Sequence, residues 1–122
     1  MTDLPRWSFG DSPELADALL ALVRESRKTA TCWAAAQMGP SVAGERGIVL
    51  DGAGQPALLV ETISCVAMRY CDVGADFAAL EGEGDLSLDY WRAAPRRYFT
   101  RAGVFADDMD LWCETFRVLE RF

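Results

Sequence analysis

A turn signal, Asp51-Gly52-Ala53-Gly54, stands between a β-prone stretch from Arg46 to Leu50 and a long apolar run from Pro56 to Ala67. Two glycines close behind an aspartate favour chain reversal, so the two runs are expected to pair as a hairpin. Around it the pattern predicts a helix over about 12–26, started by Ser12-Pro13-Glu14 and carrying Leu15, Leu19, Leu22 and Val23 on one face. A strand over Thr29 to Trp33 follows it. Beyond the hairpin, Asp85 can cap a helix bearing Leu88, Trp91, Ala94 and Tyr98, which Pro95 should kink or end. Bulk on both faces of Leu111 to Leu119 marks a central strand. Helix, strand, strand, strand, helix, strand has too few βαβ alternations for a doubly wound sheet. The expectation is an α+β fold, a small mixed or antiparallel β-barrel with helices packed on its outside.

A chain of 122 residues fits one domain, expected to span 1–122, with no repeat, linker or low-complexity segment to divide it. No apolar stretch approaches the roughly 20 residues that span a bilayer, and the first residues lack a signal-peptide core, so the expected address is cytoplasmic, away from the membrane. Cys32, Cys65, Cys71 and Cys113 form no CxxC pair and have apolar neighbours, so they read as reduced core cysteines. The thiol closest to a cation in sequence is Cys32, near Lys28.

The chain has no histidine, which removes the commonest general base near neutral pH and the commonest zinc ligand. Ser-His-Asp, Cys-His and HExxH chemistry are thereby excluded, and any proton must be moved by lysine, a carboxylate, tyrosine, cysteine or metal-bound water. The net charge of −7 opposes indiscriminate adhesion to nucleic acid. Charge is nonetheless segregated: residues 72–89 carry acids without a base, and 92–101 carry Arg92, Arg96, Arg97 and Arg101 without an acid. A helix whose ends complement its dipole accounts for this pattern as well as a ligand does.

Eleven arginines stand against one lysine, Lys28, so arginine serves wherever a plain surface cation is wanted. A lysine is a compact ammonium that can lose its proton when desolvated, which suits a base or a phosphate-directed point charge. Thr31, three residues on, can meet it only if Lys28 lies in the turn before the strand; Thr29 would otherwise share the face of Thr31. In Glu81-Gly82-Glu83-Gly84-Asp85, glycines on both sides of Glu83 let the backbone turn sharply and present a carboxylate to a cleft. Crowded acids in one turn repel one another unless a cation or substrate sits among them.

Four stretches resemble ASCH-domain proteins in content and order: Phe9-Gly10-Asp11-Ser12-Pro13-Glu14-Leu15-Ala16, Arg27-Lys28-Thr29-Ala30-Thr31-Cys32, Glu81-Gly82-Glu83-Gly84-Asp85-Leu86-Ser87-Leu88-Asp89-Tyr90-Trp91-Arg92, and Cys113-Glu114-Thr115-Phe116. The resemblance, to the branch with the EGEGD loop, implies a barrel similar to the PUA RNA-binding domain and a role with RNA or modified nucleosides. Some family members look like amidohydrolases that deacetylate N4-acetylcytidine, which would place catalysis on Lys28, Thr31 and Glu83, with Glu81 competing for the place of Glu83. Ser26 replaces the usual glycine before the basic pair, Trp33 a usual polar residue, and Pro95 a frequent histidine.

Three readings follow. In the hydrolase, a neutral Lys28 deprotonates Thr31 and Glu83 serves the leaving amine, with no cofactor required. Arg27, Thr29, Trp33, Glu81, Tyr90 and Trp91 are the expected substrate-binding residues. In a ribonuclease, Glu81, Glu83 and Asp85 would hold magnesium or manganese. In an RNA-binding regulatory module, Lys28 and Arg27 take a phosphate and an aromatic stacks a base. The expected partners are RNA or a modified nucleoside and no membrane, with a homodimer left open.

Overall fold

The computed structural model describes residues 4–84 and 87–122. Its elements are β1 (Arg6–Trp7), α1 (Pro13–Arg24), β2 (Ala30–Ala34), β3 (Arg46–Leu50), β4 (Pro56–Arg69), a 3-10 turn (Tyr70–Asp72), α2 (Ala75–Glu81), α3 (Leu88–Arg101) and β5 (Asp110–Arg121). The hairpin forms as expected: β3 and β4 pair antiparallel, and the Asp51 side chain accepts from the backbone N–H of Ala53 and Gln55. All five strands make one mixed sheet in the order β1-β3-β4-β5-β2, with β1 parallel to β3 and the other pairs antiparallel.

The α+β class stands, but the sheet is open: among the described residues β1 and β2 end it as edges and do not pair to close a barrel. The 14-residue β4 is its spine, bonded to β3 on one side and β5 on the other. Register shifts at Leu59/Val60 and at Thr62/Ser64 bend this strand, which lets one sheet serve two packing faces.

Two apolar clusters fill the molecule. In the first, Leu19, Leu20 and Val23 of α1 pack on Val49, Leu58, Val60 and Phe116 of the sheet, with Phe9 beside them. In the second, Ala78 of α2 and Trp91 and Phe99 of α3 pack on Tyr70, Leu111 and Cys113. The α1 start is as read, the Ser12 hydroxyl accepting from Leu15 N–H at 3.1 Å. At α3 the cap is Ser87, which accepts from Tyr90 N–H; the expected cap Asp85 lies outside the described residues. Pro95 does not end α3, which runs on to Arg101. Proline deletes one i to i−4 bond, and the burial of Trp91 and Phe99, four residues to either side, keeps the helix together.

All four cysteines are free, yet only Cys113 is fully buried; Cys71 is exposed and so does not belong to the core. Burial pushes the Cys113 thiol up to about 12 and also raises Cys32, so neither is a thiolate near neutral pH.

Helix α2 ends in Gly82, whose φ of 75° is left-handed. A Cβ there would run into the Arg27 carbonyl and the Lys28 amide, so the bare glycine lets α2 dock on the chain entering β2. Gly54 has a similar φ of 79° but open space around it. Gly54→Ala should lower stability by about 1–2 kcal/mol for backbone conformation alone, and Gly82→Ala by about 1–3 kcal/mol more for the collision. Urea denaturation of both variants checks this, and equal losses would mean the α2 contact tolerates a methyl.

Candidate functional site

The segment between α1 and β2 is fixed by its backbone. Arg27 and Lys28 N–H both donate to the Leu22 carbonyl, Thr29 N–H donates to Leu80 at the end of α2, and Thr29 O accepts from Phe116 on β5. Ser26 turns the chain with φ 61°, the conformation a glycine would supply most easily. These constraints aim Lys28 inward, leaving it 2% exposed.

Its Nζ lies 2.8 Å from Glu81 Oε2 and 3.5 Å from Glu83 Oε2, donates to the Glu81 carbonyl at 3.3 Å, and sits 5.4 Å from the Phe9 ring centre. Burial alone would lower the Lys28 pKa, but the Glu81 and Glu83 carboxylates outweigh it and the net shift is upward. The neutral lysine of the first expectation is therefore not the resting state. Glu81 is the direct, buried partner, while Glu83 is the looser one with a quarter of its side chain exposed. Burial raises the Glu83 pKa and the nearby Glu81 adds to it, whereas Lys28 opposes the rise. The remaining Glu81 oxygen, Oε1, is buried with no hydrogen-bond partner among the described residues.

This cluster forms one wall of a cavity of about 800 Å³ that reaches members of both apolar clusters, including Leu19 and Phe99. Of the expected residues, Lys28, Thr31, Glu81, Glu83, Trp33 and Tyr90 line it. Lys28 does lie ahead of the strand, so it and Thr31 share the space despite their odd spacing. The other three expected residues sit elsewhere. Arg27 reaches outward and donates to the Gly84 carbonyl at 3.2 Å, bracing the acidic loop. Thr29 acts through its backbone. Trp91 is buried in the second cluster and stacked on Tyr70 at 5.4 Å, so it is not free to stack a base. Arg97 and Arg101 bring the arginine-rich stretch to the cavity, Arg101 being paired with Asp11 at 3.0 Å.

One lining residue has no place in the sequence-derived site. Glu114, on β5, is 5% exposed and accepts from the Ser41 hydroxyl. Burial raises its pKa, while hydrogen bonds from Ser41 and Thr62 pull the other way. Its sequence signal, an acid in the middle of a strand with bulk on both faces, is legible only once the inward face is known.

A buried ion pair stripped of its cation leaves uncompensated charge. Lys28→Met should lower stability near neutral pH by about 3–5 kcal/mol. The deficit should shrink as pH falls, because the variant's crowded carboxyls bind protons more tightly when folded than when unfolded. Urea denaturation at neutral and mildly acid pH checks this; an equal deficit at both would assign the loss to packing instead of charge.

The ASCH domain family model matches residues 5–120. A crystal structure of a protein from Enterococcus faecalis superposes with a TM-score of 0.89 at 33% identity, covering 99% of this chain and 79% of that one. The crystal structure of an ASCH domain from Lactobacillus crispatus gives 0.83 at 32% identity, covering 94% and 79%. No curated protein matches the chain. With the family model spanning nearly its whole length and both structures sharing its fold, this chain belongs to the ASCH domain family.

Proposed function

We propose that this domain hydrolyses the acyl amide of a modified nucleoside, of which N4-acetylcytidine is the type. The observation that carries the reading is the buried Lys28–Glu81–Glu83 cluster on the wall of a cavity that also presents the Thr31 hydroxyl. Family membership supports it, ASCH domains being generally RNA-associated.

In this reading Thr31 is the nucleophile. Lys28 stays charged and stabilises the oxygen of the acyl group as negative charge develops on it; its contact with Glu83 is the looser of its two ion pairs and the one the substrate oxygen replaces. Glu83, its pKa raised, gives a proton to the leaving amine. Trp33 and Tyr90 supply aromatic surface for the base, and Arg97 and Arg101 stand at the same cavity for a phosphate. No cofactor enters this scheme. Free thiols fit a reducing, cytoplasmic setting.

Non-catalytic RNA binding is the second reading, favoured by the arginines that α3 brings to the cavity. A metal-dependent ribonuclease would need Asp85, which lies outside the described residues, and would set its cation against Glu81 and Glu83, where the Lys28 ammonium already sits.

Incubation with N4-acetylcytidine, followed by assay of acetate, is the test. The wild-type protein should release acetate, and Lys28→Ala and Thr31→Ala should each lose at least about 100-fold in kcat/KM. A wild-type protein that releases none, yet melts at higher temperature with the nucleoside, is a binding module.

A further inference from the structure

The proposed hydrolysis leaves one proton without a destination: Thr31 must lose its own, and Lys28, held as an ammonium by the carboxylate and the backbone carbonyl of Glu81, is not free to take it. Thr31 on β2 and Glu114 on β5 are directly opposed across antiparallel strands. Opposed residues project on the same face with Cβ atoms about 4.5–5.5 Å apart, and both of these line the cavity. The Thr31 hydroxyl has no hydrogen-bond partner among the described residues, so it is free to turn toward the neighbouring carboxyl. Glu114 is 95% buried by its 5% exposure, and no lysine or arginine pairs with it among the described residues. A buried carboxyl without a counter-cation is costly, and here two hydroxyls alone hold it, Ser41 and Thr62.

We infer that Glu114 is the general base that accepts the Thr31 hydroxyl proton, and that Ser41 and Thr62 position it. The step balances with the groups already named. The Thr31 proton passes to the Glu114 carboxylate as Thr31 Oγ1 bonds to the acyl carbon; the carbon–nitrogen bond then breaks and Glu83 protonates the amine. In the second half a water gives a proton to Glu83 and its oxygen to the acyl carbon, and Thr31 leaves with the proton held by Glu114. Burial, the hydrogen bonds from Ser41 and Thr62, and the charge of Glu45 on the loop before β3 set the titration of Glu114; Cys65 is its β4 neighbour, and Lys28, Glu81 and Glu83 line the same cavity.

This inference rests on Thr31 being a nucleophile, and its test is separable from the choice of substrate. p-Nitrophenyl acetate acylates an activated hydroxyl, and its phenolate leaves without needing a proton. Wild-type protein quenched during reaction should carry one acetyl on the peptide containing Thr31. Labelling should rise with pH through the elevated Glu114 pKa and then level off. Glu114→Gln, which keeps the shape and an acceptor for Ser41, should label at least about 100-fold more slowly without that acid limb, while Glu114→Asp restores part of the rate. Absence of the label on Thr31 in wild type, or a Glu114→Gln variant with wild-type rate and pH profile, overturns the inference. Glu114-dependent labelling of a protein that leaves N4-acetylcytidine intact supports the base while removing the proposed substrate.

Discussion

An ammonium group buried to 2% exposure between two carboxylates is the constraint on which the rest of this site depends. Moving such a charge out of water is unfavourable by many kcal/mol unless opposite charge and hydrogen bonds surround it. The fold supplies these from three places: the turn after α1 brings Lys28, the last residue of α2 brings Glu81, and the loop behind Gly82 brings Glu83. Each placement relies on the others. The Thr29–Leu80 backbone bond and the bare Gly82 backbone hold α2 against the lysine segment, and Arg27 ties down the loop carbonyl at Gly84.

One cation facing two acids leaves an excess of negative charge, and this governs what the cavity accepts. Burial first, and the neighbouring Glu81 charge after it, make the Glu83 carboxyl hold its proton more firmly despite its contact with Lys28. Burial raises Glu114 as well, but there hydrogen bonds from Ser41 and Thr62, and not a cation, oppose the rise. The two raised acids therefore occupy distinct environments within one cavity, one beside an ammonium and one among neutral donors. Such a separation lets one carboxyl give a proton while the other takes one.

Much of the sheet was legible because its signals are local. The turn at Asp51 to Gly54 and the β-branched runs around it placed β3 at its observed bounds and most of β4. Barrel closure was not legible, since it depends on whether the two-residue β1 and the five-residue β2 meet, a contact between opposite edges that leaves no local trace. Helix α2 was missed although Ala75 to Glu81 followed by Gly82 is a fair helix with a glycine stop; its acids drew the reading toward a ligand loop. Lys28 stood out by being the lone lysine, and its burial agrees with that suspicion. Trp91 misled because an aromatic beside an acidic loop looks like a base platform, while its partner Tyr70 lies 21 residues away in sequence. Glu114 stands in one of the four stretches that carry the family resemblance, but its place at the cavity is not legible there, because its neighbours Thr31, Ser41 and Thr62 all lie far from it in the chain.

The same charge arrangement argues for how a ligand would enter. Four carboxyl groups line the cavity, Glu45, Glu81, Glu83 and Glu114, with one ammonium already engaged by two of them, so a phosphate driven to Lys28 would meet more acid than base. Arginines line the cavity elsewhere: Arg6, Arg46, Arg97 and Arg101, of which Arg46 and Arg101 also hold carboxylates. An anionic group would therefore be matched better by the guanidinium groups, and a neutral, polar group able to donate to a carboxyl by the surroundings of Lys28 and Thr31. An amide-bearing base has those properties; a phosphate does not. The group that most resembles a phosphate anchor in sequence is thus one whose charge the fold already offsets, which weighs toward the proposed hydrolysis over a simple phosphate clamp.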